Sequence, residues 1–182
     1  MRHPAQLKTR YKQEKKKLFK KLAKSNNGFY FNQKHTDLVD TIVKDIVSEI
    51  KKTYAVEDFT LIAVGGYGRE DLSPKSDVDL LFVYKKSNKH LRGFITQLNN
   101  TLWDIGLEVG ISFLTIKQAL IDSKKDIKTI TKFVETRFII GDKIQYGEFV
   151  RSIKILIGKQ NPLKLSELKL IELVERHDYR IG

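Results

Sequence analysis

The 182-residue chain contains no cysteine, which excludes disulfide scaffolds, thiolate metal sites and cysteine nucleophiles. It has three prolines, one methionine and one tryptophan, and no proline- or serine-rich linker or internal repeat breaks it up. Long apolar runs are missing too. The longest, Phe59–Val64 and Asp79–Tyr84, fall far short of the ~20 residues a membrane helix needs. The first residues are too basic and too poor in apolar side chains for a secretion signal, so a cytoplasmic protein without membrane contact is expected. What is present is globular: 41% hydrophobic and 31% charged residues, which excludes wholesale disorder. The length suits one domain with a core and a helical appendage.

Acid is scarce at one end. Of the formal net charge of +12, residues 1–24 carry +9, from ten basic side chains against Glu14 alone. Such a run is most simply a solvated lysine-rich face, although it also suits an anionic partner. Only Tyr11 and Phe19 interleave with it, so stacking on bases has little support and nucleic acid is not the expected partner.

Periodicity places the elements. Leu7, Tyr11, Leu18, Phe19 and Leu22 give an amphipathic helix over 5–24, ended by Ser25-Asn26-Asn27-Gly28. Leu38, Ile42, Val43, Ile46, Val47 and Ile50 predict a second helix over 35–53. Phe59–Val64 reads as a buried strand, broken by Gly65-Gly66-Tyr67-Gly68. Asp77–Tyr84 reads as a second strand, Leu91–Ile105 as a helix and Glu108–Thr115 as a third strand. From Lys117 onward the pattern is helical. The expectation is an α+β fold: a small mixed sheet with packed helices, followed by an all-helical C-terminal region. Its parts would be a basic N-terminal helix over 1–28, a core over 29–120 and a helical region over 121–182.

The chemistry concentrates in residues 61–83, LIAVGGYGREDLSPKSDVDLLFV. Gly65 and Gly66 follow a buried strand directly, where bare backbone can approach a ligand and aim N–H groups at phosphate oxygens. Neither a P-loop nor a dinucleotide fingerprint fits. No Gly-Lys pair occurs in the stretch, and Asp71 stands where the third glycine of G-x-G-x-x-G belongs. A plain strand-ending turn would explain the glycines alone. Asp77 and Asp79, however, flank Val78, and in a strand residues two apart share a face. Two adjacent carboxylates repel, and a divalent cation removes the conflict; magnesium favours one or two carboxylates completed by phosphates and waters. Turn aspartates after Pro74 are the simpler alternative, but such residues rarely run straight into a buried Leu80-Leu81-Phe82-Val83. Glycine turn and acid pair together describe a site for a nucleoside triphosphate with Mg2+.

The string GGYGREDLSPKSDVDLL resembles the signature of the DNA-polymerase-β-like nucleotidyltransferase superfamily: a glycine pair, then a hydroxyl residue and Asp-x-Asp heading a strand. The fuller sequence is similar to one branch, the nucleotidyltransferase domain of the bifunctional uridylyltransferase/uridylyl-removing enzyme acting on the regulatory protein PII. Residues 102–110 look like that branch's helix-to-strand passage, 135–142 like its "EARLLAGD"-type helix, and Glu175-Arg176-His177 like its approach to a "GGLRD" segment. The resemblance implies Mg2+-dependent transfer of a nucleoside monophosphate, UMP from UTP, to a protein hydroxyl such as a PII tyrosine. An adenylyltransferase using ATP, or an inactive regulatory or nucleic-acid-binding module, is the alternative. Asp77 and Asp79 would hold metal, and the amides of Gly65 and Gly66 the β- and γ-phosphates. Arg69 would neutralise pyrophosphate or else pair with Glu70 or Asp71, and Ser76 would bond a phosphate or cap a turn. Glu108, at the head of the third strand, would supply a third carboxylate or be an exposed strand-end acid. Tyr67 is expected to pack, Arg137 to be structural within a helix, and His35, His90 and His177 to be non-catalytic. The branch's polar His-Ser-Val-Arg-Thr run after its glycine is replaced here by Ile111-Ser112-Phe113-Leu114-Thr115. Its hydrolase and sensing domains do not fit in 182 residues, so the chain would be a fragment or a stand-alone relative.

Overall fold

A computed structural model describes residues 4–25 and 27–159, with Leu163, Ser166, Glu167 and Leu170 beyond them. Two helices open the chain, α1 (Pro4–Ser25) and α2 (Gly28–Lys51). The second begins seven residues ahead of the expected start at residue 35 because its cap lies earlier. The Asn27 side chain accepts the Tyr30 amide at 3.0 Å, and buried Phe31 and His35 continue the apolar spacing of Val39, Ile42 and Ile46 backwards. Leu7 and Tyr11 of α1 are almost wholly buried in the same cluster as α2, so the basic helix is docked by one apolar edge.

Next come β1 (Phe59–Val64), the single turn α3 (Gly65–Gly68), β2 (Val78–Tyr84), α4 (Lys89–Ile105) and β3 (Val109–Leu114). Asn88 caps α4, its side chain accepting from the Leu91 amide at 2.8 Å, and Gly106 stops it in the left-handed region at φ 90°. The helical crossover makes β3 parallel to β2, with Val78 opposite Val109 and Asp79 opposite Gly110. The chain then forms α5 (Ile116–Lys125), α6 (Ile127–Val134), β4 (Thr136–Gly141) and α7 (Lys143–Gly158).

β4 corrects the expected all-helical C-terminal region, and with it the helix expected to carry Arg137. Thr136–Gly141 pairs antiparallel with β1, giving a mixed four-stranded sheet ordered β3-β2-β1-β4. The segment is rich in β-branched and aromatic residues, and it covers the edge of β1 that β2 leaves open. The sheet therefore draws on residues beyond 120. The expected approach to a glycine-rich segment at 175–177 lies outside the described residues.

Both faces of the sheet are covered. Phe59, Leu61, Ala63, Val78, Leu80 and Phe82 point into a cluster with α1, α2 and α4. Ile62, Val64, Leu81 and Val83 point the other way, into a smaller cluster with Ala119, Phe133, Phe149 and Ile153 of α5, α6 and α7. Strand alternation thus puts Asp79 on the second side, in line with Leu81 and Val83. Among the described residues no helix is long and apolar enough to cross a membrane.

Candidate functional site

The site starts where β1 runs out. Gly65 takes φ +59°, a conformation that strains any L side chain. A Cβ there would lie 3.5 Å from Asp79 Oδ2 and 3.9 Å from Lys132 Cγ, so the bare backbone faces the carboxylate directly. Gly68 is fixed by crowding instead: a Cβ would come within 2.1 Å of the Glu135 carbonyl oxygen, so the turn can lie flat against the start of β4 only as glycine.

Tyr67 locks the turn from beneath. It is 1% exposed and donates its hydroxyl proton to Asp40 at 2.6 Å. Arg137, on β4, donates to both Asp40 oxygens (2.5 and 3.0 Å) and to the Tyr67 carbonyl at 3.3 Å, and its guanidinium lies 5.3 Å from the Tyr67 ring centre. Burial, and then the Asp40 carboxylate, push the Tyr67 phenol well above its ordinary value. For Arg137 burial works against the charge, but the Asp40 bonds outweigh it and the guanidinium ends above its ordinary value. Glu70, itself at φ 63°, stands 3.4 Å from Arg137 Nε. Tyr67 and Arg137 are thus structural, as expected, although Arg137 acts from a strand.

Asp79 heads β2 with 35% of its side chain exposed, and Lys132 of α6 reaches its Oδ1 at 2.7 Å. Gly110 stands opposite in the parallel register, and a Cβ there would lie 3.1 Å from the same oxygen. The carboxylate therefore sits between two bare backbone positions. Asp77, exposed, lies one residue ahead of the strand. Glu108 does not join them. Its carbonyl oxygen accepts the Val78 amide at 2.8 Å, but its carboxylate charge acts on α1. Burial, and secondarily Glu108, raise the Tyr11 phenol to about 12, and burial lowers Lys15, an effect that Glu108 only partly opposes. Among the described residues no group of three or more His, Asp or Glu side chains is placed to hold a metal ion.

The remaining candidates are engaged locally. Arg69 pairs with Glu135 rather than with Glu70 or Asp71. Ser76 shares a hydrogen bond with Ser73 Oγ at 2.5 Å and donates its amide to the Ser73 carbonyl at 3.1 Å, which closes the turn before β2. His35 is buried, with Nδ1 3.1 Å from the Leu72 carbonyl and Nε2 3.4 Å from the Tyr11 hydroxyl. Burial holds its pKa below the ordinary value, so it is a neutral core histidine. His90 is exposed, and His177 lies outside the described residues.

Lys132 escaped the sequence reading. It sits in the ordinary pattern Ile127-Lys128-Thr129-Ile130-Thr131-Lys132-Phe133, and only the packing of α6 over the sheet brings it to Asp79. It also walls a cavity of about 350 Å³ between β3, α5 and α6, lined in part by Ser112, Asp122, Thr129 and Phe133. The donor set fits one kind of metal. The Asp79 carboxylate beside bare backbone, with Asp77 two residues ahead of it and no third acid grouped with them among the described residues, suits a hard cation that completes its shell with phosphate and water, as magnesium does, and not a closed all-protein cage.

A model of the nucleotidyltransferase domain matches residues 41–145, which run from α2 through β4 into α7. Among curated proteins, the bifunctional uridylyltransferase/uridylyl-removing enzyme of Rhodospirillum rubrum is 37% identical over 123 residues, covering 66% of this chain and 13% of that protein. The enzyme of the same name from Haemophilus influenzae is 35% identical over 127 residues, covering 69% of this chain and 15% of that protein. The chain therefore spans less than a sixth of the length of these relatives. A solved toxin–antitoxin structure with AMP-PNP matches 72% of this chain and 97% of that chain at TM-score 0.39 and 12% identity, a level at which nothing is inferred. With more than half of its residues matched by the family model, and with uridylyltransferase enzymes among its relatives, the chain belongs to the nucleotidyltransferase domain family.

Proposed function

We propose that this domain moves UMP from UTP to a protein hydroxyl, such as a tyrosine of a PII-type regulator, and releases pyrophosphate. The observation that carries the reading is the half-exposed Asp79 carboxylate facing the bare Gly65 backbone at the head of β2. The choice of UTP rests on the names of the relatives, which specify uridylyl transfer, and the PII-type acceptor rests on the branch that the sequence resembles. The acceptor oxygen attacks the α-phosphorus, a new P–O bond forms, the bond to the β-phosphate oxygen breaks to release pyrophosphate, and the acceptor proton passes to water. Asp77 and Asp79 would hold magnesium, which when bound supplies Lewis-acid stabilisation of the charge on the transferring group.

Gly65 and Gly66 let the β- and γ-phosphates approach the backbone. Arg69, beside Gly66 and 40% exposed, neutralises the departing pyrophosphate once it leaves Glu135. Ser76 holds the turn that aims Asp77, and Glu108 is left out of the metal set. The test is pyrophosphate release with UTP, Mg2+ and a PII-type acceptor, in wild type and in Asp77→Ala/Asp79→Ala. Loss of release in the double variant is expected, and unchanged turnover defeats the proposal. Competition by ATP checks the base: tighter use of ATP than UTP turns the reading toward adenylyl transfer.

A further inference from the structure

We propose that Lys132 is a resident cation of this site, neutralising Asp79 until a metal-bound triphosphate arrives and then transferring its ammonium to the phosphates. The inference rests on the metal–triphosphate reading above and adds a residue to it. The Lys132–Asp79 pair is 2.7 Å long, with 34% and 35% of the two side chains exposed. A pair this open to water is easily exchanged, unlike a buried ion pair whose breakage strands a charge.

The route of the side chain matters as much as its end. Lys132 Cγ lies 3.9 Å from where a Gly65 Cβ would stand, so the stem crosses the glycine turn on its way to Asp79. The ammonium is thus within a bond rotation or two of both the carboxylate and the backbone where phosphates would lie. Its base is held firmly. Asp126 caps α6 by accepting the Lys128 and Thr129 amides at 3.1 Å each, and Phe133, the next residue, is 4% exposed in the second core cluster. A fixed Cα with a mobile, strongly hydrated head is what an exchanging cation requires. The cavity that Lys132 walls leaves the head room to move.

A lysine that competes with metal and assists phosphate has opposite effects on the two ligands, whereas a purely structural lysine has neither. Binding of Mn2+ alone is measured by electron paramagnetic resonance, and binding of a non-hydrolysable UTP analogue with Mg2+ by calorimetry. The variants are Lys132→Met, Lys132→Gln and Asp79→Asn, with thermal melts confirming that each is folded. In both Lys132 variants Mn2+ alone is expected to bind about tenfold tighter and the analogue about tenfold weaker, the size of one charge-assisted hydrogen bond. Folded Lys132 variants with unchanged affinity for either ligand overturn the proposal, while loss of metal binding in Asp79→Asn leaves the site itself standing. If Asp79→Asn binds Mn2+ and analogue like wild type, the metal–triphosphate reading fails, and the Lys132 proposal with it.

Discussion

The two sides of the sheet use the same strands for different ends. On the side of α1, α2 and α4, every inward residue of β1 and β2 is apolar, and Phe59, Phe82 and Phe94 lie with ring centres 4.9 to 5.8 Å apart. On the side of α5, α6 and α7, the same alternation gives Val83 and Leu81 an apolar cover but then delivers Asp79 at the strand's open end, with Lys132 upon it. The first side supplies rigidity. The second spends part of its cover on a polar opening, and the order β3-β2-β1-β4 keeps the strand that carries Asp79 in the interior of the sheet. A carboxylate held by a central strand, with Gly110 on one neighbouring strand and Gly65 just past the end of the other, is well placed and yet reachable.

Substitutions that separate these two roles test the comparison. Asp79→Ala should lower nucleotidyl transfer by about a thousandfold. Its melting temperature should stay close to wild type, because the Lys132 pair is too exposed to contribute much. Phe82→Ala should do the reverse: about 3–5 kcal/mol of stability is lost from the dry side, read by urea unfolding, through burial and cavity terms. Arg137→Ala lies between them. It takes the guanidinium from Asp40, which is 13% exposed and keeps the Tyr67 hydroxyl and Lys44, and it frees the Tyr67 turn, so about 3 kcal/mol of stability should go together with weaker triphosphate binding.

The smallest effect concerns His35. Its folded pKa is depressed by burial, so the folded state favours the neutral ring. Stability from this residue is full above the ordinary histidine value of about 6.5 and declines as pH falls below it, because the unfolded chain takes up the proton first. Melts from pH 7.5 to 5.0 should fall less steeply in His35→Gln than in wild type.

The glycine turn, the Asp77–Asp79 spacing and the parallel approach of β3 were legible because each is local: punctuation after a buried strand, a two-residue period and a helical crossover. β4 was not. A six-residue segment behind a helical pattern is decided by the open edge of β1, 70-odd positions away, even though Thr136, Ile139 and Ile140 carry β propensity. The start of α2 was misplaced because Asn27 serves both as a breaker for α1 and as a cap for α2. Lys132 and the Arg137–Asp40–Tyr67 lock have no sequence signature, since their partners lie 53, 97 and 70 residues distant. Glu108 stands at the expected strand end, and its charge is felt by Tyr11 and Lys15 of the basic helix.

The most direct test is a crystal structure with Mg2+ and a non-hydrolysable UTP analogue. The account predicts a metal ion bridging Asp77, Asp79 and the phosphates, those phosphates against the Gly65–Gly66 backbone, and Lys132 moved off Asp79. A triphosphate bound elsewhere, with the Lys132–Asp79 pair intact and no metal at the head of β2, would contradict it.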